Sequence, residues 1–187
     1  MNAYTIRAAT LADVPAIAAV YEHAVLHGTA TYELVPPPLA EMEARFRAVT
    51  GDGYPYIVAE DGEGRLLGYA YGSAFRTRPA YRWSVEDSVY LEPAAQGRGI
   101  GLALLLRLVE LCTELGFRQM IGVIGGSDHQ PSIRIHEKAG FRHLGIMEAS
   151  GFKFGRWIDT VLMQLPLGEG RSTLPDETAY PGTLLKG

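Results

Sequence analysis

Gln96-Gly97-Arg98-Gly99-Ile100-Gly101 joins two apolar runs of different period. Ahead of it, Ser88-Val89-Tyr90-Leu91 reads as a short strand; behind it, Leu102 to Leu111 reads as a helix. A strand, a glycine-rich turn and a helix start together form a phosphate cradle. Successive backbone N–H groups converge there, and the helix dipole makes the space positive. Glycine permits the required angles and lets a phosphate approach the main chain. Two other phosphate motifs do not fit. The dinucleotide fingerprint wants G-x-G-x-x-G early in a βαβ unit, whereas the glycines here are spaced Gly97-x-Gly99-x-Gly101 in mid-chain. A P-loop ends in Gly-Lys-Ser/Thr, and Leu102 follows Gly101 here.

Working outward, Tyr4 to Arg7 alternates as a first strand. Thr10 caps a helix with Asp13 three positions on, Pro15 in its first turn, and Val14, Ile17, Ala18, Tyr21 and Val25 at helical spacing. His27 to Pro38 is a loop, and Leu39 to Val49 a second amphipathic helix. Tyr56 to Glu60 and Arg65 to Ser73 are strands joined by the turn Asp61-Gly62-Glu63-Gly64. Phe75 to Arg82 is a basic, aromatic connection into the strand Val85 to Leu91. Beyond the long helix, Gln119 to Ile124 is a strand, Gly125 to Asp128 a break, and Pro131 to Ala139 a helix stopped by Gly140. Phe141 to Met147 and Ile158 to Leu165 are the last strands, flanking a glycine-bearing segment from Ser150 to Trp157. Meander and crossover connections are combined, so the sheet is expected to be mixed.

Composition bounds the function. A chain of 187 residues suits one domain, expected over residues 1–167, with an irregular, poorly ordered tail or inter-subunit arm over 168–187. With 47% hydrophobic and 20% charged residues the chain is globular rather than disordered. The net charge of -4 argues against nucleic acid as a main partner. Cys112 stands alone inside an apolar helix, so it reads as a buried small hydrophobe in a reducing compartment. No apolar run approaches the roughly 20 residues that span a bilayer, and no signal-peptide core opens the chain, so the default expectation is cytoplasmic with no membrane partner. His23, His27 and His143 show no metal-ligand spacing, and no metal is expected.

The element order and the turn at 96–101 resemble the GNAT superfamily of acyl-CoA-dependent N-acyltransferases, whose turn pattern Gln/Arg-x-x-Gly-x-Gly/Ala is met by Gln96, Gly99 and Gly101. Three further segments, Ala80 to Tyr90, Ser132 to Phe141 and Gly151 to Asp159, resemble the phosphinothricin and methionine sulfoximine acetyltransferase branch. The likeness spans residues 3–167. It implies the GNAT fold, an α/β (mixed α+β) architecture with a central, mostly antiparallel mixed sheet of about seven strands flanked by helices. It also implies acetyl-CoA as co-substrate and a small amino acid or analogue as amine acceptor.

The resemblance assigns roles residue by residue. Gln96, Gly97, Arg98, Gly99, Ile100, Gly101 and Leu102 would hold the diphosphate, Arg98 by charge as well. Backbone N–H groups of Val89, Tyr90 and Leu91 would polarise the thioester carbonyl, if a splay frees them from the sheet. His129 stands where relatives carry an asparagine that contacts the pantetheine arm, with Ser132 close by. An amino acid's amine is mostly protonated at neutral pH and needs a base. Glu86 is the candidate; Asp87, on the opposite strand face, is the weaker one. His136 stands where many relatives have a tyrosine, to protonate the departing thiolate or share the base role. Arg76, Arg78, Tyr81, Asp87 and Ser88 would line the acceptor pocket with Glu86. Lys153 and Phe154 resemble residues donated at a subunit interface, which implies a homodimer. Two other readings stay open: acetylation of a protein N-terminus or polyamine, and a non-catalytic acyl-CoA-binding module.

Overall fold

The computed structural model describes residues 4–181; residues 1–3, and 182–187 of the expected tail, lie outside the described residues. The elements in chain order are β1 (Tyr4–Ala8), α1 (Val14–His27), α2 (Leu39–Gly51), β2 (Tyr56–Asp61), β3 (Leu66–Ala74), β4 (Ser84–Leu91), α3 (Ile100–Glu114), β5 (Gln119–Gly125), α4 (Gln130–Lys138), β6 (Arg142–Lys153) and β7 (Arg156–Pro166). They build a seven-stranded sheet in the order β1-β2-β3-β4-β5-β7-β6. Only β4 and β5 pair parallel; every other rung is antiparallel. The expected mixed, mostly antiparallel sheet is what forms.

The alternation of side chains along each strand divides the core into two layers. Along β2, Ile57 and Ala59 join Ile100, Leu104, Leu105 and Leu108 of α3 on one face. Tyr56 and Val58 join Val14, Ile17, Met42 and Phe46 of α1 and α2 on the other. Cys112 is fully buried in the α3 layer. The chain enters α1 through a short 3-10 turn whose capping box pairs Thr10 with Asp13.

The last two strands extend into the glycine-bearing segment expected to lie between them. β6 and β7 run as one hairpin through Ser150 to Trp157. Two local devices absorb the glycine-bearing sequence. The register shifts between Met147 and Gly151, where Ala149 takes a left-handed φ of 50°, so a bulge consumes the extra residues. Phe154 and Gly155 then close a two-residue turn with φ of 53° and 71°, the pattern that suits the strands' twist. Beyond β7 the described tail carries no helix or strand, but it lies against its own chain. Leu167 is buried, Tyr180 meets the Phe117 ring edge-on, and Arg118 donates to Gly170 O, Thr173 Oγ1 and Leu174 O.

Candidate active site

The parallel pair β4–β5 is paired only from Ser84↔Gln119 to Asp87↔Gly122. Both strands continue, β4 to Leu91 and β5 to Gly125, without pairing to each other. The sheet therefore forks after Asp87. A cleft of about 960 Å³ opens along the fork and is lined by β4, β5, α4, the 96–102 turn and the loop after α1.

The fork frees specific donors. On its other side β4 stays paired to β3, with Tyr90 opposite Tyr69 and Val89 opposite Ala70. Glu92 N–H donates to Leu67 O at 2.9 Å, and hydrogen-bonded pairs alternate along an antiparallel ladder. Tyr90 N–H is thereby committed to β3, while Val89 and Leu91 N–H point into the fork. This corrects the expectation of three free donors to two; a strand turns only every second N–H to one side.

The cradle at 96–102 is built by glycine conformation. Gly97 and Gly99 have φ of 74° and 82°, and a Cβ on either would meet open space. Backbone angle, not crowding, calls for glycine there. At Gly101 the reason is proximity: its Cβ would come 3.2 Å from Leu91 Cδ1. The first main-chain bond of α3 is Ala103 N–H to Gly99 O, so the N–H groups of Ile100, Gly101 and Leu102 have no partner within the helix. Gln96, Gly97, Gly99, Gly101 and Leu102 line the cleft. Two expected members do not: Arg98 is exposed beside it, and the Ile100 side chain is in the core. At the start of α4, His129 and Ser132 also line the cleft. His129 Nδ1 is buried without a partner, and burial holds its pKa down.

Glu86 and Asp87 part to opposite faces of β4, as period two requires. Glu86 lines the cleft and is half-buried. Burial first, and the Asp87 charge second, raise its carboxyl from 4.5 to about 7, against the pull of Arg76. Asp87 is 7% exposed and faces α4, where its Oδ2 lies 2.9 Å from His136 Nε2. The other ring nitrogen, Nδ1, lies 2.8 Å from Ser132 O. Asp87 and His136 nevertheless both line the cleft, and Asp87 Oδ1 is buried there with no hydrogen-bond partner. Ser88, opposite Tyr71, is the first residue beyond the last β4–β5 rung and lines the cleft.

The acceptor-side expectations are met unevenly. Arg76, Arg78 and Tyr81 lie on the exposed connection before β4 and do not line the cleft. Arg76 stacks on Phe75 and is near enough for its charge to act on Glu86. Lys153 is 3% exposed and turns inward, donating to Gly28 O at 2.8 Å and Thr31 O at 2.9 Å. Its ammonium satisfies carbonyls of its own chain. Phe154, beside it, is exposed and lines the cleft.

Sequence reasoning missed the strap formed by residues 28–32. Thr29 Oγ1 donates to Gly125 O at 2.7 Å, and Tyr32 Oη reaches Asp159 O and Thr160 Oγ1. A Cβ on Gly125 would stand 1.9 Å from Thr29 O, and one on Gly151 2.9 Å from the Tyr32 ring. Gly125 read as a chain break; its second meaning, a close backbone approach, was the available signal.

Comparison with known proteins extends this geometry. The family model of the acetyltransferase (GNAT) domain matches residues 6–162. The chain is 49% identical over 174 residues to the phosphinothricin N-acetyltransferase of Alcaligenes faecalis, covering 93% of this chain and 88% of that protein. It is 40% identical over 168 residues to the L-methionine sulfoximine/L-methionine sulfone acetyltransferase of Pseudomonas paraeruginosa, covering 90% and 97%. The crystal structure of a GNAT superfamily phosphinothricin acetyltransferase from Sinorhizobium meliloti in complex with AcCoA aligns with a TM-score of 0.96 at 56% identity, covering 98% of this chain and 99% of that one. A forked parallel pair, a glycine cradle at a helix start and a match through most of the chain converge on one conclusion: this protein belongs to the GNAT acetyltransferase family.

Proposed function

We propose that the chain is an acetyl-CoA-dependent N-acetyltransferase that acetylates the amino group of a small amino acid or analogue of the phosphinothricin or methionine sulfoximine type. The observation that carries the reading is the fork. One cleft holds unpartnered helix N–H groups on one side, two strand N–H groups in the middle and a carboxylate raised to about 7 on the other. The named activities of the relatives supply the substrate class.

The donor set fits acetyl-CoA. Gln96 to Leu102 offers main-chain N–H groups to a diphosphate, and His129 and Ser132 line the path towards the fork. Acetyl-CoA, when bound, supplies an acetyl group activated as a thioester. Val89 and Leu91 N–H donate to the carbonyl oxygen as it gains charge. Oriented donors of this kind are worth about 3 kcal/mol each. Glu86 accepts one proton from the acceptor's ammonium and passes it to solvent. The freed nitrogen bonds to the carbonyl carbon, the carbon–sulfur bond breaks, and the nitrogen's second proton goes to the departing sulfur. A base with a pKa near 7 suits this step, being unprotonated for much of the time and still strong enough to act. Arg76 is assigned to an anionic group of the acceptor, supported by its influence on Glu86. We place the protein in the cytoplasm as a homodimer. Supporting the dimer, the sheet-edge strand β6 and the hairpin turn expose Leu144, Ile146, Met147, Phe152, Phe154 and Trp157.

The test is turnover. The chain is incubated with acetyl-CoA and an amine panel of phosphinothricin, methionine sulfoximine, natural amino acids, an N-terminal peptide and spermidine, and free thiol is followed. Thiol release with the first two supports the proposal. Release only with peptide or spermidine replaces the acceptor. Acetyl-CoA binding with no release on any amine makes the chain a binding module and overturns the proposal.

A further inference from the structure

Both ring nitrogens of His136 are engaged in the buried pair at the fork, Nδ1 with Ser132 O and Nε2 with Asp87 Oδ2. Ser132 O only accepts, so His136 Nδ1 carries a hydrogen. Where Asp87 Oδ2 is the acceptor of the second contact, Nε2 carries one too. A ring with both nitrogens donating is an imidazolium and has no lone pair to offer a substrate. Its location favours the charge, because His136 is in the last turn of α4, where the helix dipole attracts a cation. The pair also sits at a mechanical junction. Asp87↔Gly122 is the last rung before β4 and β5 part, and the His136 ring lies over Gly122, 2.9 Å from where a Cβ would stand. The Phe141 ring packs on it edge-on at 4.9 Å.

We propose that Asp87 is a positioning residue that holds His136 as a paired imidazolium at the fork, where the ring acts as a fixed cationic strut between α4 and β5. It is then not the base that deprotonates the acceptor. The functional part rests on the acetyl-transfer reading: the strut sets the width of the slot beside which the leaving sulfur develops charge. The other ionisable groups around the pair are Glu86, on the opposite face of β4, and Cys112 of α3. The Cys112 thiol stays protonated, pushed up to about 12 by burial and then by Asp87.

Long-range nitrogen–proton NMR on the free protein reads the ring directly, with His136→Gln identifying its signals. The expected wild-type spectrum at pH 7.5 shows both His136 nitrogens protonated. Asp87→Asn keeps the shape and removes the charge, so one nitrogen is expected to become unprotonated. In the same variant kcat is expected to fall about tenfold or more while KM for acetyl-CoA changes little, since the loss is in the reacting geometry. An unprotonated nitrogen in the wild-type spectrum overturns the proposal and needs no variant to fold. So does an Asp87→Asn protein with an unchanged spectrum or unchanged kcat. If the chain fails to turn over any amine, the functional reading falls, and the spectrum still decides the charge state.

Discussion

Replacing Glu86 with glutamine removes a charge that the folded chain accommodates poorly, and the consequence is a stability gain that depends on pH. The carboxyl is raised from 4.5 to about 7 in the folded state, by burial and then by Asp87. Between those values the folded state keeps a proton that the unfolded chain has released. Folding is therefore fully supported by this group below about pH 4.5 and loses that support as pH rises through about 7. At about 1.4 kcal/mol per pH unit the ceiling on the loss is about 3.4 kcal/mol. The carboxyl also meets the solvent of the cleft, and screening there reduces the figure to about 2 kcal/mol. Glutamine has no such pH dependence. Urea unfolding of wild type and Glu86→Gln at pH 5 and pH 8 isolates the effect, because the other titrating groups are common to both proteins. The variant's advantage is expected to grow by about 1–2 kcal/mol between the two pH values, or about 3–6 °C in Tm. An advantage that is the same at both pH values would refute the reasoning, since the carboxyl would then titrate alike in folded and unfolded chains.

The same carboxyl sets an activity profile: wild-type kcat/KM is expected to rise through a limb near pH 7, and Glu86→Gln to lose both the limb and most of kcat while retaining acetyl-CoA affinity by calorimetry. Gly122→Ala brings a methyl to 2.9 Å from the His136 ring, and an unfolding free energy lower by about 1–3 kcal/mol, with reduced kcat, is the expected outcome. Lys153→Met removes the donor from two carbonyls of the strap, at a cost of about 1–3 kcal/mol, and proteolysis within residues 28–32 is expected to quicken. Ile146→Lys places a charge on the exposed edge strand; sedimentation is expected to shift from dimer to monomer, and an unchanged mass would remove β6 from the interface.

Local chemistry was legible in the sequence. The glycine cradle follows from residues within six positions of one another, and Gly97 and Gly99 adopt the positive φ that only glycine takes freely. Strand period alone separated Glu86 from Asp87, and helical spacing placed the buried face of α1. The last two strands were legible but their extent was not, because the bulge near Ala149 and the tight turn at Phe154-Gly155 place strand residues within a glycine-bearing segment.

Contacts between distant residues were decided by the tertiary structure. Asp87 finds His136 across 49 residues, and Lys153 finds Gly28 across 125. Neither spacing has a local signature: the first bond depends on α4 lying over Gly122 beside β4, the second on the end of β6 meeting the loop after α1. The fork itself is a failure of pairing between two strands that each read as ordinary. Propensity acts over a few residues, whereas strand divergence and strap docking are set by what must pack above and below the sheet.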